Sequence, residues 1–140
     1  LVAAHDETVS KAALFLTAGS LADMVWTGRA TRHIRASLEP DISVPDLRRV
    51  WSPINLETYA KKLARSDLSL QIILGDRDKV VLPELSWQFI EALRSAGAKP
   101  DIQTLNCGHY SLALPPFIIR AGFRVQKLIK HPDAPTTATA

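Results

Sequence analysis

The chain has 140 residues, of which 46% are hydrophobic and 22% charged. That length suits one domain, and the balance suits an ordinary globular core burying on the order of two-thirds of the unfolded surface. A formal net charge of +3 from scattered Lys and Arg argues against a nucleic-acid patch, and a single cysteine excludes a disulfide framework or a Cys-rich zinc site. No apolar run approaches the roughly 20 residues of a membrane span. No signal-peptide pattern is present, so a cytoplasmic location is the expectation.

Leu1 to His5 reads as the end of a helix. Lys11 to Thr17 is an apolar run short enough for a strand buried on both faces. Ala18-Gly19-Ser20 follows as a turn of small residues. From Leu21 to Leu38 the pattern is helical, broken at Gly28, with Met24, Trp26, Ile34 and Leu38 as candidate buried positions. Pro40 ends it. Ser43-Val44-Pro45-Asp46 has the form of a helix start, with Ser43 or Val44 near the cap and Pro in the first turn. Leu47, Val50 and Trp51 form that helix's apolar side. Ser52-Pro53 opens a further helical stretch through Leu56, Tyr59, Ala60 and Leu63.

Leu68 to Leu74 is the second strand pattern, followed by a loop from Gly75 to Pro83. Pro83 and Glu84 open a helix through Ala96, with Leu85, Phe89, Ile90 and Leu93 on one stripe. Gly97 is placed as its C-terminal stop. Asp101 to Leu105 is the third strand. After a loop from Asn106 to Ser111, Pro115-Pro116 leads into a last helix to about Lys130, with Ile118, Ile119, Phe123, Val125 and Leu128 apolar.

This alternation predicts an α/β domain, a parallel sheet with flanking helices. Residues 1–131 form the domain. Within it, 21–67 is too long for a simple crossover and is expected to be a small helical cap plus the crossover helix. Residues 132–140, poor in bulky apolar side chains, are expected to be a disordered tail.

The chemistry lies at the ends of the last two strand patterns. In an open parallel sheet, sites form beyond the carboxyl ends of the strands. Asp78 follows the second strand pattern and His109 the third. Adjacent strands lie about 4.8 Å apart, so neighbouring loops can bring a carboxylate onto an imidazole. The carboxylate would fix the tautomer and stabilise the imidazolium formed when the ring takes a proton. Each residue alone reads as an ordinary turn residue; the pair, on these elements, reads as a site.

Here the chain resembles the C-terminal half of the α/β-hydrolase family, over roughly Lys11 to Lys130. The carrying residues are Ile72-Ile73-Leu74-Gly75-Asp76-Arg77-Asp78-Lys79-Val80-Val81-Leu82-Pro83 and Leu105-Asn106-Cys107-Gly108-His109-Tyr110-Ser111. The resemblance implies that Asp78 is the triad acid and His109 the base; Asp76 is the structural alternative and is read as capping the loop. It implies an esterase-like serine hydrolase acting on an ester or related acyl bond of a small molecule, without metal or organic cofactor. An acyltransferase on the same scaffold is a rival.

The family's nucleophile sits in Gly-x-Ser-x-Gly on a strand-to-helix turn, and the chain has no such motif. Ala18-Gly19-Ser20-Leu21-Ala22 is the nearest approach. Topology speaks against Ser20, because the family places a further strand between the nucleophile and the strand before the acid. Lys11–Thr17 is better taken as that intervening strand. The resemblance then puts the nucleophile and the oxyanion hole before Leu1. The expected partner is the missing N-terminal half of the same fold or a homodimer partner, and the isolated chain is expected to be inactive and poorly soluble, dimeric or partnered. The alternative is a non-catalytic hydrolase-like fragment acting as a binding or dimerisation module.

The remaining candidates have plainer readings. His5 and His33 lie at no metal-ligand spacing. Cys107, two residues from His109, is expected to be a small buried residue rather than a nucleophile. Trp26, Trp51 and Met24 are candidates for an acyl pocket under the cap, or simply for core.

Overall fold

The computed structural model describes residues 1–130, so the tail expected over 132–140 lies outside the described residues. Three strands, β1 (Lys11–Phe15), β2 (Ser69–Gly75) and β3 (Asp101–Leu105), form one parallel sheet in the order β1-β2-β3. Ile72 lies between Leu14 and Ile102, and Ile73 between Phe15 and Gln103. The central strand is buried from Leu70 to Gly75. A strand paired on both sides and covered on both faces has no solvent side, so its apolar run does not alternate.

Leu70, Ile72 and Leu74 face one helical layer, made by α5 (Ala60–Leu63), α6 (Pro83–Ser95) and the short α1 (Val2–His5). The stripe of α6 is buried as its spacing predicts, through Leu85, Phe89, Ile90 and Leu93. The helix stops at Gly97, whose φ of 98° lies in the left-handed region. Gly97 N–H donates to Arg94 O and Ala98 N–H to Leu93 O, both at 2.9 Å, which closes the last turn.

Ile73, Leu105 and Cys107 face the other way. Over them lies α7 (Phe117–Lys130), which packs with Phe117, Ala121 and Val125. Ile118, Ile119 and Phe123, expected on its apolar side, are exposed instead. The helix has rolled so that small Ala121 sits closest to the sheet.

Between β1 and β2 there is no strand, as expected. The cap segment contains α2 (Leu21–Thr27), α3 (Arg32–Leu38) and α4 (Val44–Val50). The helix break falls at Gly28, where Thr31 Oγ1 donates to Val25 O and Gly28 O at 2.9 and 3.0 Å. Ser43 caps α4, accepting from Asp46 N–H at 3.3 Å, with Pro45 in the first turn.

Three expectations are corrected here. β1 is half-buried rather than covered on both faces, because it pairs with β2 alone and Phe15 is exposed. In the cap, Ala22 and Val25 are the buried residues of α2, while Met24, Trp26 and Leu38 are half-buried and Ile34 is exposed. The stretch from Ser52 is not one helix but two 3-10 turns, Ser52–Ile54 and Leu56–Tyr59, before α5. Asn55 interrupts it with extended backbone, and its buried side-chain oxygen accepts from Leu21 N–H at 2.9 Å. That long-range bond gives a partner to an N–H of the first turn of α2, which has no acceptor within its own helix.

Candidate active site

The loops after β2 and β3 run side by side. Asp76 N–H donates to Leu105 O at 3.0 Å and Arg77 N–H to Cys107 O at 3.1 Å, so the pairing continues past the sheet. The approach explains Gly75: a β-carbon there would stand 2.6 Å from Cys107 O. The second loop is closed by Ser111, whose Oγ accepts from Gly108 N–H at 2.8 Å and donates to Gly108 O at 3.1 Å.

This arrangement brings Asp78 and His109 together across 31 positions of sequence, with Asp78 Oδ2 2.9 Å from His109 Nδ1. Asp78 Oδ1 accepts from Val80 N–H at 2.8 Å and from Val81 N–H at 2.9 Å. The Asp78 side chain is 1% exposed and that of His109 29%. Both atoms around Asp78 Oδ1 are donors, and the carboxylate accepts from Nδ1–H, so the imidazole tautomer presents Nε2 as an acceptor. Nε2 has no hydrogen-bond partner among the described residues. The ring also meets Tyr110 edge-on, with centroids 5.3 Å apart. The geometry thus offers a proton acceptor on a half-open ring, held from behind by a fixed carboxylate.

The loop-capping role expected of Asp76 belongs to Asp78, which both caps the turn and holds the histidine; Asp76 is exposed. Cys107 is buried, as its small apolar character suggested. Burial, and then the carboxylates of Asp76 and Asp78, push its thiol up, which disfavours the nucleophilic thiolate. Ser20 is buried and caps α2, accepting from Asp23 N–H at 3.2 Å. It follows β1, two strand positions from the loop of His109, or roughly 10 Å across the sheet.

Beside Ser20 lies a charged cluster that no local pattern announces. Arg48 Nε donates to both carboxylate oxygens of Asp23, at 3.1 and 3.0 Å, across 25 positions. Burial works to raise the Asp23 carboxyl, but hydrogen bonds from Arg48 and Ser20 and the Arg48 charge hold it below the usual range. Glu57 is pushed the other way, by burial first and then by Asp23. The cluster ties the cap segment to the exit of β1, where Glu57 N–H also donates to Gly19 O at 3.3 Å.

Leu16, just past β1, has φ of 47°. The left-handed region costs a residue with a β-carbon roughly 1–2 kcal/mol. Together with Phe15, Leu21, Met24, Ile54 and Leu56 it lines an apolar cavity of about 270 Å³ at the carboxyl end of the sheet. Met24 lies in its lining. Trp26 and Trp51 are not among the lining residues; Trp26 instead carries the Arg35 guanidinium 5.3 Å from its ring centroid. His5 packs edge-on against Tyr59, His33 is exposed, and among the described residues no three metal-ligating side chains gather.

No known family profile matches the sequence, and no curated protein matches it by sequence. The fold has clear counterparts among solved structures. An acylaminoacyl peptidase of Pyrococcus horikoshii superposes with a TM-score of 0.73 at 9% identity, over 99% of this chain and 22% of its own. An esterase of Pyrococcus furiosus superposes with a TM-score of 0.64 at 16% identity, over 92% of this chain and 47% of its own. A puromycin-hydrolysing peptidase of Mycobacterium tuberculosis gives 0.55 at 14% identity, over 73% of this chain and 15% of its own. The chain thus spans about a fifth of the first neighbour and about half of the esterase. Its parallel sheet and flanking helices are those of the C-terminal part of the α/β-hydrolase fold.

Proposed function

We propose that this chain supplies the acid and the base of a serine hydrolase acting on an ester or related acyl bond of a small molecule. The observation that carries the reading is the 2.9 Å contact between Asp78 Oδ2 and His109 Nδ1, on a ring whose Nε2 is otherwise unengaged. In this reading His109 takes the proton of an attacking serine hydroxyl and returns it to the leaving group. Asp78 orients the ring and stabilises the imidazolium between those steps. The serine attacks the acyl carbon, the leaving group departs with the proton, and water releases the acyl-enzyme by the same route. No serine of the described residues hydrogen-bonds His109. The reading therefore places the nucleophile and the oxyanion hole on polypeptide outside these residues, as the rest of the same fold or a partner chain.

Fluorophosphonate labelling, read by intact mass and peptide mapping, tests this on the chain and on any longer polypeptide that carries it. The expected result is no adduct on Ser20. In the longer polypeptide an adduct forms on another serine, and its rate falls by orders of magnitude in His109→Ala. Labelling indifferent to His109 overturns the reading.

A second reading, a non-catalytic module that binds or dimerises, draws on the exposed apolar residues of α7. It predicts that Asp78→Ala and His109→Ala leave partner affinity intact while no acyl chemistry is found.

A further inference from the structure

The sheet has two open edges, β1 and β3, and they are guarded differently. On the β3 side, α7 carries Arg120, Arg124 and Lys127 around Gln103, and Arg124 lies 4.0 Å from Asp101 Oδ2. Charge along an edge keeps other strands away, and two copies meeting there would set cations against cations. β1 has no such guard. Its residues Ala12, Ala13, Leu14 and Phe15 are apolar toward both faces, the pattern of an interior strand, yet it pairs with β2 alone. Its charged residue, Lys11, turns to α7, where Nζ donates to Ile129 O at 3.2 Å.

The β1 edge is open to a further strand. Ser10 O accepts from Ser69 N–H at 2.8 Å and Leu16 N–H donates to Ile73 O at 2.9 Å, so the even positions serve β2. By the alternation of a parallel ladder, Ala13 and Phe15 point their N–H and C=O groups away from β2, where no strand of the described residues stands. α7 is apolar on this side too. Positions 118, 122, 125 and 129 form one stripe, opposite Arg120 and Lys127. Ile118 and Ile129 are exposed, and a β-carbon added at Gly122 would have nothing within 4 Å.

The edge and the stripe share one centre. α7 runs antiparallel to β1: Phe117 at its start packs on the same cluster as Leu16 at the strand's exit, and Ile129 at its end meets Lys11 at the strand's entry. Ala13 therefore lies under the middle of the stripe, between 122 and 125. A two-fold axis through that point, perpendicular to the sheet, sets Ala13 against Ala13 of a second copy. The same rotation sets position 118 against 129 and 122 against 125, because the stripe is symmetric about its own middle. α7 rides on β1 and β2. With strands about 4.8 Å apart, the two α7 axes come to about 10 Å, a helix-packing distance.

From this self-complementarity we infer that the chain pairs with a second copy of itself, through antiparallel β1 edges and adjoining α7 flanks, in one isologous interface. The two sheets then join into one, with a charged β3 edge at either end. The pairing uses no residue of the hydrolase reading. Polypeptide supplying the rest of a hydrolase fold competes for the same edge, so the pairing belongs to the chain without it.

A cross-link in the producing cells and sedimentation of the purified chain test this. Ala13→Cys places two Cα atoms about 5.5 Å apart across the axis, within disulfide reach. The native thiol, Cys107, is buried. Diamide treatment of cells expressing Ala13→Cys should give a covalent dimer of the chain on non-reducing gels, identified by intact mass. Thr104→Cys, exposed on the β3 edge, should give none. In sedimentation velocity the purified chain should run as a dimer. Ile118→Glu and Ile129→Glu should each weaken it by about tenfold or more, as loss of a central interface contact does. Phe123→Asp, on the other flank of α7, should leave it unchanged. The inference is overturned by absence of the Ala13→Cys dimer, by its cross-linking to a different protein, by equal cross-linking of Thr104→Cys, or by association indifferent to Ile118 and Ile129. The cross-link in cells decides the matter if the purified chain does not stay in solution.

Discussion

Two helices of nearly equal length cover the two faces of one sheet, and they are packed very differently. α6 has 13 residues and buries Leu85, Phe89, Ile90 and Leu93 against Leu70, Ile72 and Leu74. α7 has 14 residues, and Ala121 is its buried residue, while Phe123 is 67% exposed. The same contrast divides the candidate site. Asp78 belongs to the loop that enters α6 and is held by three hydrogen bonds. His109 belongs to the loop that leads to α7 and is half-open. The lesson is that an amphipathic stripe states which residues can be buried together, whereas the cover decides which are.

The largest expected effect concerns the site. In a polypeptide that carries the nucleophile, Asp78→Asn should lower kcat by roughly 10⁴-fold, because the amide favours the wrong imidazole tautomer. A fall of less than tenfold in steady-state assays would sink the assigned role.

Core packing comes next. Phe89→Ala, at a fully buried position, should cost about 3–5 kcal/mol in urea unfolding. Phe123→Ala should change stability by no more than about 0.5 kcal/mol. If the two costs were comparable, the α7 face would be covered in solution. Sedimentation velocity on Phe123→Asp would then show a loss of association.

The two site residues should differ in the same sense. Asp78→Ala strands one buried and one part-buried N–H group, those of Val81 and Val80, and should cost about 2–3 kcal/mol, whereas water can replace the half-open ring in His109→Ala, at about 1 kcal/mol. Chemical denaturation of the pair measures the difference.

Gly97→Ala tests the stop that positions α6. Nothing lies within 4 Å of an added β-carbon, so the cost comes from φ alone and should be about 1 kcal/mol in thermal melts. The corresponding change at Gly122 of α7, also in open space, should stabilise.

The smallest effect belongs to Glu57. Its carboxyl titrates above the usual range in the fold, so the folded chain binds that proton more tightly than the unfolded chain does. The group therefore favours the fold at low pH and opposes it once pH rises through its folded pKa. Glu57→Gln should raise the melting temperature at pH 7 and leave it nearly unchanged at about pH 4. An equal gain at both would remove ionisation as the cause.

Much of this molecule is local physics and was legible in the residues. The order of strands and helices, the α6 stripe with its stop at Gly97, the Ser43 cap and the break at Gly28 follow from periodicity and backbone preference. Topology also made the Asp78 and His109 loops neighbours, because parallel strands point their carboxyl ends the same way. The capping of the loop by Asp78 rather than Asp76 was not legible, since two carboxylates two positions apart have equal local propensity. Nor was the Asp23–Arg48–Glu57 cluster, whose members are distant in sequence and meet only through the fold of the cap.

What the sequence by itself determined is the α/β order and the pairing of an acid loop with a histidine loop, because both depend on short-range pattern and strand direction. What only the tertiary structure decided is burial. It set the roll of α7 onto Ala121, the half-buried state of β1, the interruption at Asn55 and the unpaired oxygen of Gln71. Each depends on which surface arrives opposite, and a side chain does not carry its neighbour's identity in its own position along the chain.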